Sequence, residues 1–276
     1  MKLKTKIIAL LALASSALVI PANAAVTFTQ GDLVLAVRSA TEGKTYMVNL
    51  GSSVGYRNAT ADNTSVVTVL TDLDANFAGW QNRADVTWSI FGVRAAATNA
   101  GAVNGDPGQT IYISRAETTI GTQRAPFTAP SATNHGAAAG KMASVQVEFS
   151  NGTPTGLANA TVLLDNQTLY ENTGTGGDTG ASWGAFTGGS QGNFGAGTAG
   201  TALDLFRSLG TLTGASPSGT LRVGSYEGTF HINDQGVVGY SVAPTFAAIP
   251  EPSRALLLGL GATGLLFRRR RSAQAA

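Results

Sequence analysis

The sequence contains no cysteine and only two histidines, His135 and His231. Without cysteine the chain can form no disulfide, thiolate metal site or cysteine nucleophile, so packing must hold an exported fold together. With two histidines and no H-E-x-x-H motif, nothing places three nitrogen or sulfur ligands together, and neither a cofactor nor a metal is expected. Charge is scarce as well, at 12% of residues. The chain has 18 Lys+Arg and 16 Asp+Glu, but eight basic residues lie near the ends: Lys2, Lys4, Lys6, Arg254 and Arg268 to Arg271. Between Ala25 and Ile249 stand ten basic and fifteen acidic residues, about −5. That balance excludes a nucleic-acid-binding surface.

Small and polar turn-forming residues are abundant instead: 35 glycines and 53 serines or threonines. This composition suits a turn-rich exported β protein. The expected fold is mainly β: one β-rich, sandwich-like domain over 25–248 with a few short helices.

The ends carry targeting patterns. Lys2, Lys4 and Lys6 precede the apolar run Ile7 to Ile20, and Pro21-Ala22-Asn23-Ala24 closes it with a small-x-small box. Residues 1–24 therefore read as a signal peptide, with Ala22 and Ala24 filling the two pockets of signal peptidase. A retained anchor is the alternative, disfavoured by the short run and the well-formed box. Near the other end, the thirteen residues from Ala255 to Phe267 (ALLLGLGATGLLF) precede Arg268, Arg269, Arg270 and Arg271. As a helix this segment spans roughly 20 Å, against about 30 Å of hydrocarbon, so it is a marginal anchor. The arginines stop and orient it with the tail in the cytoplasm and the body outside, the orientation that the N-terminal lysines also give.

Pro250-Glu251-Pro252, the apolar segment and the arginine block, in that order over 249–276, resemble the PEP-CTERM sorting signal of Gram-negative bacteria. The resemblance implies processing by an exosortase, a membrane enzyme with a cysteine nucleophile, after transient residence in the inner membrane. It also implies cell-surface or extracellular fate, with association to exopolysaccharide in biofilm or floc. GDLVLAVRS and TYMVNLG are similar to the start of ectodomains that carry this signal; no activity follows from them. Physically, the two prolines fix φ and extend the residues before them, presenting Glu251 on a stiff arm. A plain tail anchor with a proline-rich stem is the alternative.

Along the body, Asp32 to Ser39 and Thr45 to Leu50 read as a hairpin through Gly43-Lys44. Thr64 to Thr71 reads as a third strand, with Asp72 capping a short helix through Trp80. Asp85 to Arg94 and Thr110 to Arg115 read as strands, and Val86, Trp88, Ile90 and Gly92 share one face. Lys141 to Phe149 reads as a strand whose first half has helical character, and Leu157 to Tyr170 is ambiguous. Residues 172–200 hold eleven glycines in twenty-nine and read as a long loop pinned by Trp183, Phe186 and Phe194. Thr201 to Leu209 reads as a helix capped by Gly210. Tyr226 to Ile232 and Val237 to Val242 read as a hairpin through Asn233 to Gly236.

Candidate chemistry is thin. Gly180-Ala181-Ser182-Trp183-Gly184 matches G-x-S-x-G, but its glycine-rich flanks do not supply a strand before and a helix after. Oxygen ligands for calcium exist on paper at Asp72 with Asp74, at Asp106 with Asn104, and at Gly176-Gly177-Asp178. Two acids facing one cleft would suit a polysaccharide hydrolase. Trp80 and Trp183 are the candidate sugar-stacking platform of a carbohydrate-binding module, whereas Trp88 belongs to the core face. Five N-x-S/T sequons match chance for this composition. The leading expectation is a non-enzymatic exported matrix protein with no catalytic residue; a carbohydrate-binding module or hydrolase is the alternative.

Overall fold

The computed structural model describes residues 26–39, 41–94, 103–127, 131–164, 192–194, 202–210 and 224–244. The described strands are β1 (Asp32–Ser39), β2 (Lys44–Ser52), β3 (Asn63–Thr68), β4 (Val86–Val93), β5 (Ile111–Ala116), β6 (Thr153–Pro154), β7 (Ala160–Leu164), β8 (Gly192–Asn193), β9 (Ala202–Ser208), β10 (Ser225–Ile232) and β11 (Val237–Ser241). The helices are α1 (Ser53–Arg57), α2 (Leu70–Asn76) and α3 (Ala132–Glu148).

All the strands join one sheet in the order β3-β11-β10-β9-β5-β4-β1-β2-β7-β6, with β8 added beside β4. Every pairing is antiparallel. The protein is therefore mainly β, but it is one curled sheet, not the two facing sheets of the expected sandwich. Its edges approach each other through α2: Thr155, just after β6, donates to Asp72 at 2.5 Å, while α2 follows β3.

Two cores follow from the period-2 alternation of the strands. Leu33, Leu35 and Val37 of β1, Trp88 and Ile90 of β4, Leu203 and Leu205 of β9 and Phe230 of β10 pack inside the curl with Leu73 and Phe77. Val34 and Ala36, Phe91 and Val93, Ile111 and Ile113, and Phe206 face the other way. There α3 covers them with Ala138, Ala139, Met142 and Val145, spaced three and four apart, and the following Phe149 joins the same core. Central strands covered on both faces lose their polar alternation, and β1 is buried at seven of eight positions.

The expected hairpins β1–β2 and β10–β11 form, and β4 and β5 lie within a residue or so of their expected bounds. In the β10–β11 turn Gly236 has φ 64°, and a Cβ there would come within 2.5 Å of the Leu70 backbone nitrogen, so only glycine fits.

Three expectations are corrected. Residues 202–208 form β9 in the middle of the sheet rather than a helix: Ala202, Leu203, Leu205 and Phe206 are buried on both faces, which imitates a helical apolar pattern. The stretch Lys141 to Glu148 belongs to α3, with Phe149 opening the 3-10 turn after it, and Ser131 caps the helix by accepting from the Asn134 amide at 3.1 Å. Asp72 does not cap α2; it lies in the first turn, and Val69 occupies the cap position without a side-chain bond. The glycine-rich stretch falls outside the described residues except at 192–194. There β8 pairs with β4, and Phe194 packs edge-on against Trp80 at 4.7 Å and stacks on Trp88 at 6.0 Å.

Candidate functional site

The sorting motif Pro250, Glu251 and Pro252, the arginines 268 to 271, the cleavage box at Ala22 and Ala24, and the pair Ser182 and Trp183 all lie outside the described residues. Trp80 is described, and it is 1% exposed. Its ring meets Phe194 and its Nε1 donates to Asp74 at 3.1 Å, so it offers no open face to a sugar. The stacking-platform reading of Trp80 is thereby corrected: the ring belongs to the core, because Phe194 and α2 close over it.

The carboxylates proposed as oxygen ligands have other work. Asp72 accepts from Thr155, and Asp74 from Trp80. Asp106, 2% exposed, is clasped by two arginines. Arg57 at the end of α1 donates Nη1 at 2.8 Å, and Arg207 of β9 donates Nε at 2.7 Å and brings its Nη2 to 2.6 Å. Tyr112 of β5 donates its hydroxyl to the other oxygen at 2.8 Å. Arg57 and Arg207 also donate to the carbonyls of Asn104 and Gly105, which fixes the turn carrying Asp106. Burial and then the adjacent Asp106 push the Tyr112 hydroxyl up to about 12. Two cations fill the coordination space that a calcium ion would need, and the cluster is a structural tie.

A second acidic cluster has no such cation among the described residues. Glu117, just past β5, and Asp204, in β9, project from the same outer face as Ile113 and Phe206. They are 2% and 0% exposed. Asp204 accepts from the Arg124 amide at 2.5 Å and from the Thr229 hydroxyl at 2.6 Å. Thr229 thereby uses its one hydrogen, so Tyr226 donates to it across 2.7 Å. Glu117 accepts from the Gly121 amide at 2.7 Å through Oε2. Its Oε1 is buried without a partner, and Asp204 is its neighbour across the β5–β9 pairing, two residues along from the Ala202 carbonyl that accepts from the Glu117 amide. Burial, reinforced by Asp204, pushes the Glu117 carboxyl up to about 8.

The cations in this region are turned elsewhere. Arg115 lies opposite Asp204 in the β5–β9 register, yet its Nη1 donates to the carbonyls of Ala125 and Pro126 at 2.5 and 2.9 Å. Its guanidinium sits 4.8 Å over the Phe127 ring. Burial and the neighbouring Arg124 lower its proton affinity. The segment 117–127 is thus strapped across the outer face by Arg115, Asp204 and Glu117. Beside it, Ala202 separates Glu117 from His231, whose ring takes the space that a Cβ on Gly239 would need. Burial lowers the His231 pKa, and Asp62 opposes that shift.

Two neighbouring carboxyls, one of them raised by burial above the usual carboxylate range, are the kind of pair that a hydrolase would use. Here both are sealed beneath 117–127, and a glycosidic oxygen cannot come within bonding distance while that segment is in place. Among the described residues no group of three or more His, Asp or Glu is arranged around a common point. His135 of α3 lies 3.1 Å from the Ser208 hydroxyl, but both are buried beneath α3. Sequence reasoning missed Glu117 and Asp204; the only signal was an acid within the apolar run TALDLFRSL.

The described fold is a curled antiparallel sheet with one covering helix. No family model matches the chain, and none of the curated proteins or solved structures compared with it is detectably similar.

Proposed function

We propose that the chain is an exported, non-enzymatic surface or extracellular-matrix protein, sorted by an exosortase through a PEP-CTERM tail and associated with exopolysaccharide. One observation carries this reading. Pro250-Glu251-Pro252, a thirteen-residue apolar segment and four arginines occur in that order, and the opposite end carries a signal-peptide pattern of the same orientation. The body supports it in one way: its buried carboxylates at 106, 117 and 204 are engaged in holding turns and strands together.

Glu251 is the reading head of the tail, a single charge between two φ-locked residues. Replacing it with alanine keeps the membrane segment and removes the charge. In a host with an active exosortase, the Glu251→Ala chain should accumulate in the inner-membrane fraction while the parent reaches the surface or medium. Equal release of the two chains would overturn the sorting claim. Loss of release for both in an exosortase-deficient host is the matching control.

A further inference from the structure

We propose that Glu117 and Asp204 share a single proton, and that this proton latches the segment 117–127 onto the sheet and releases it in alkaline medium. The donors around the two carboxyls leave one oxygen to be satisfied. Glu117 Oε2 and both Asp204 oxygens already have donors, from Gly121, Arg124 and Thr229. Glu117 Oε1 alone has none, and Asp204 is its neighbour. Two ionised carboxylates side by side on one buried face repel strongly; a carboxylic acid donating to a carboxylate satisfies both.

Among the described residues, the charged and titratable groups around the pair leave it in need of that proton. Arg115, on β5, gives its Nη1 to the carbonyls of Ala125 and Pro126, and no bond joins its guanidinium to either carboxyl. Arg124, on the strap, contributes its backbone amide. From β10 come Tyr226 and His231, and burial pushes the Tyr226 hydroxyl up to about 12, so it stays neutral. From the β11 side, Ser241 and the Val242 amide both donate to Asp62, another acid.

When the proton leaves, the charge repulsion falls on the bonds to Gly121 and Arg124, the two amides that hold the strap. The strap carries Phe127, which packs edge-on to Phe206 at 6.2 Å. Opening would uncover that apolar face together with the polar row Asp204–Thr229–Ser241, which runs across three strands. Gly121 also lies beside the carbonyl of Pro244, so the strap borders the end of the described chain.

Hydrogen exchange of the full chain, read as protection relative to the free peptide from pH 6 to 9.5, tests the latch. The Glu117 carboxyl keeps its proton to about pH 8 with the strap latched and only to an ordinary carboxyl value with it open. Protection of the Gly121 and Arg124 amides should therefore fall about tenfold per unit from pH 6 to about 8, roughly a hundredfold in all, and level off above that. Glu117→Gln places an amide N–H where the acid proton sits and still accepts from Gly121, so its protection should stay flat over the whole range. A flat wild-type profile overturns the proposal, as does a Glu117→Gln profile that falls in parallel with wild type. Carboxyl carbon shifts of the unmodified protein give a second reading that depends on no variant. One glutamate titrating near pH 8 is expected, and all glutamates titrating below pH 6 would refute the shared proton.

Discussion

Asp106 and the Glu117–Asp204 pair are equally hidden from water, yet they solve the problem of a buried negative charge in opposite ways. Asp106 is neutralised by Arg57 and Arg207 and finished by the Tyr112 hydroxyl. The other site has arginines nearby but turns them to carbonyls and an aromatic ring, leaving a proton as the neutralising partner among the described residues. A guanidinium stays charged at any pH the protein meets, whereas a carboxyl proton does not. One site is therefore a permanent rivet and the other a conditional one, although both hold turns onto β9 and its neighbours.

The sharpest way to break this contrast is to remove the acid from the rivet. Asp106→Ala strands two largely buried guanidinium groups, at 13% and 17% side-chain exposure, and should cost about 3–5 kcal/mol in urea unfolding. A cost below about 1 kcal/mol would mean the arginines find other partners.

Next in size is the pH dependence of the conditional site. The Glu117 carboxyl is raised above its unfolded value, so its contribution is complete below about pH 4.5 and is lost as the pH climbs through about 8. The loss is on the order of a few kcal/mol. Unfolding curves at pH 5, 7 and 9 should show it in wild type and not in Glu117→Gln, and parallel curves would erase the distinction between the two sites.

Tyr226→Phe removes the donor to Thr229 while leaving the Thr229–Asp204 bond in place, and should cost about 1 kcal/mol. The smallest effect belongs to an exposed counterpart. Arg83 binds both oxygens of Asp85 at 3.1 and 2.6 Å, and these bonds hold the Asp85 carboxyl well below the usual carboxylate range. Its contribution is present at neutral pH and fades as the pH falls through that depressed value. Asp85→Asn should nevertheless shift the unfolding midpoint by less than about 1 kcal/mol, because water screens the pair.

The legible parts of the fold are those whose physics is local. Both terminal hairpins were readable because Gly43 and Gly236 mark turns that demand positive φ, and the flanking residues alternate. β4 was readable because Val86, Trp88 and Ile90 all face inside the curl. β9 was not: a strand buried on both faces carries apolar residues at 202, 203, 205 and 206, the spacing of an amphipathic helix. α3 was misread from its second half, where Val145 and Val147 alternate with Gln146 and Glu148, although one valine is buried and the other exposed.

The candidate site inherits those errors. On a helix, Asp204 would be a solvated charge; in a central strand it is sealed. Its partners are non-local, with Arg124 80 residues away and Thr229 25. The Asp106 cluster joins residues 49 and 101 positions apart. Only the closure of the sheet brings such groups together, and no spacing in the sequence encodes it. The proposed targeting patterns rest on hydrophobic length and charge order, properties of a linear segment, and lie outside the described residues.

The intact mass of the protein recovered from the surface or medium of an exosortase-bearing host bears most directly on the account. A chain that begins at Ala25 and has lost the arginines at 268 to 271 is the predicted result. A recovered protein that still carries both Met1 and Ala276 would contradict it.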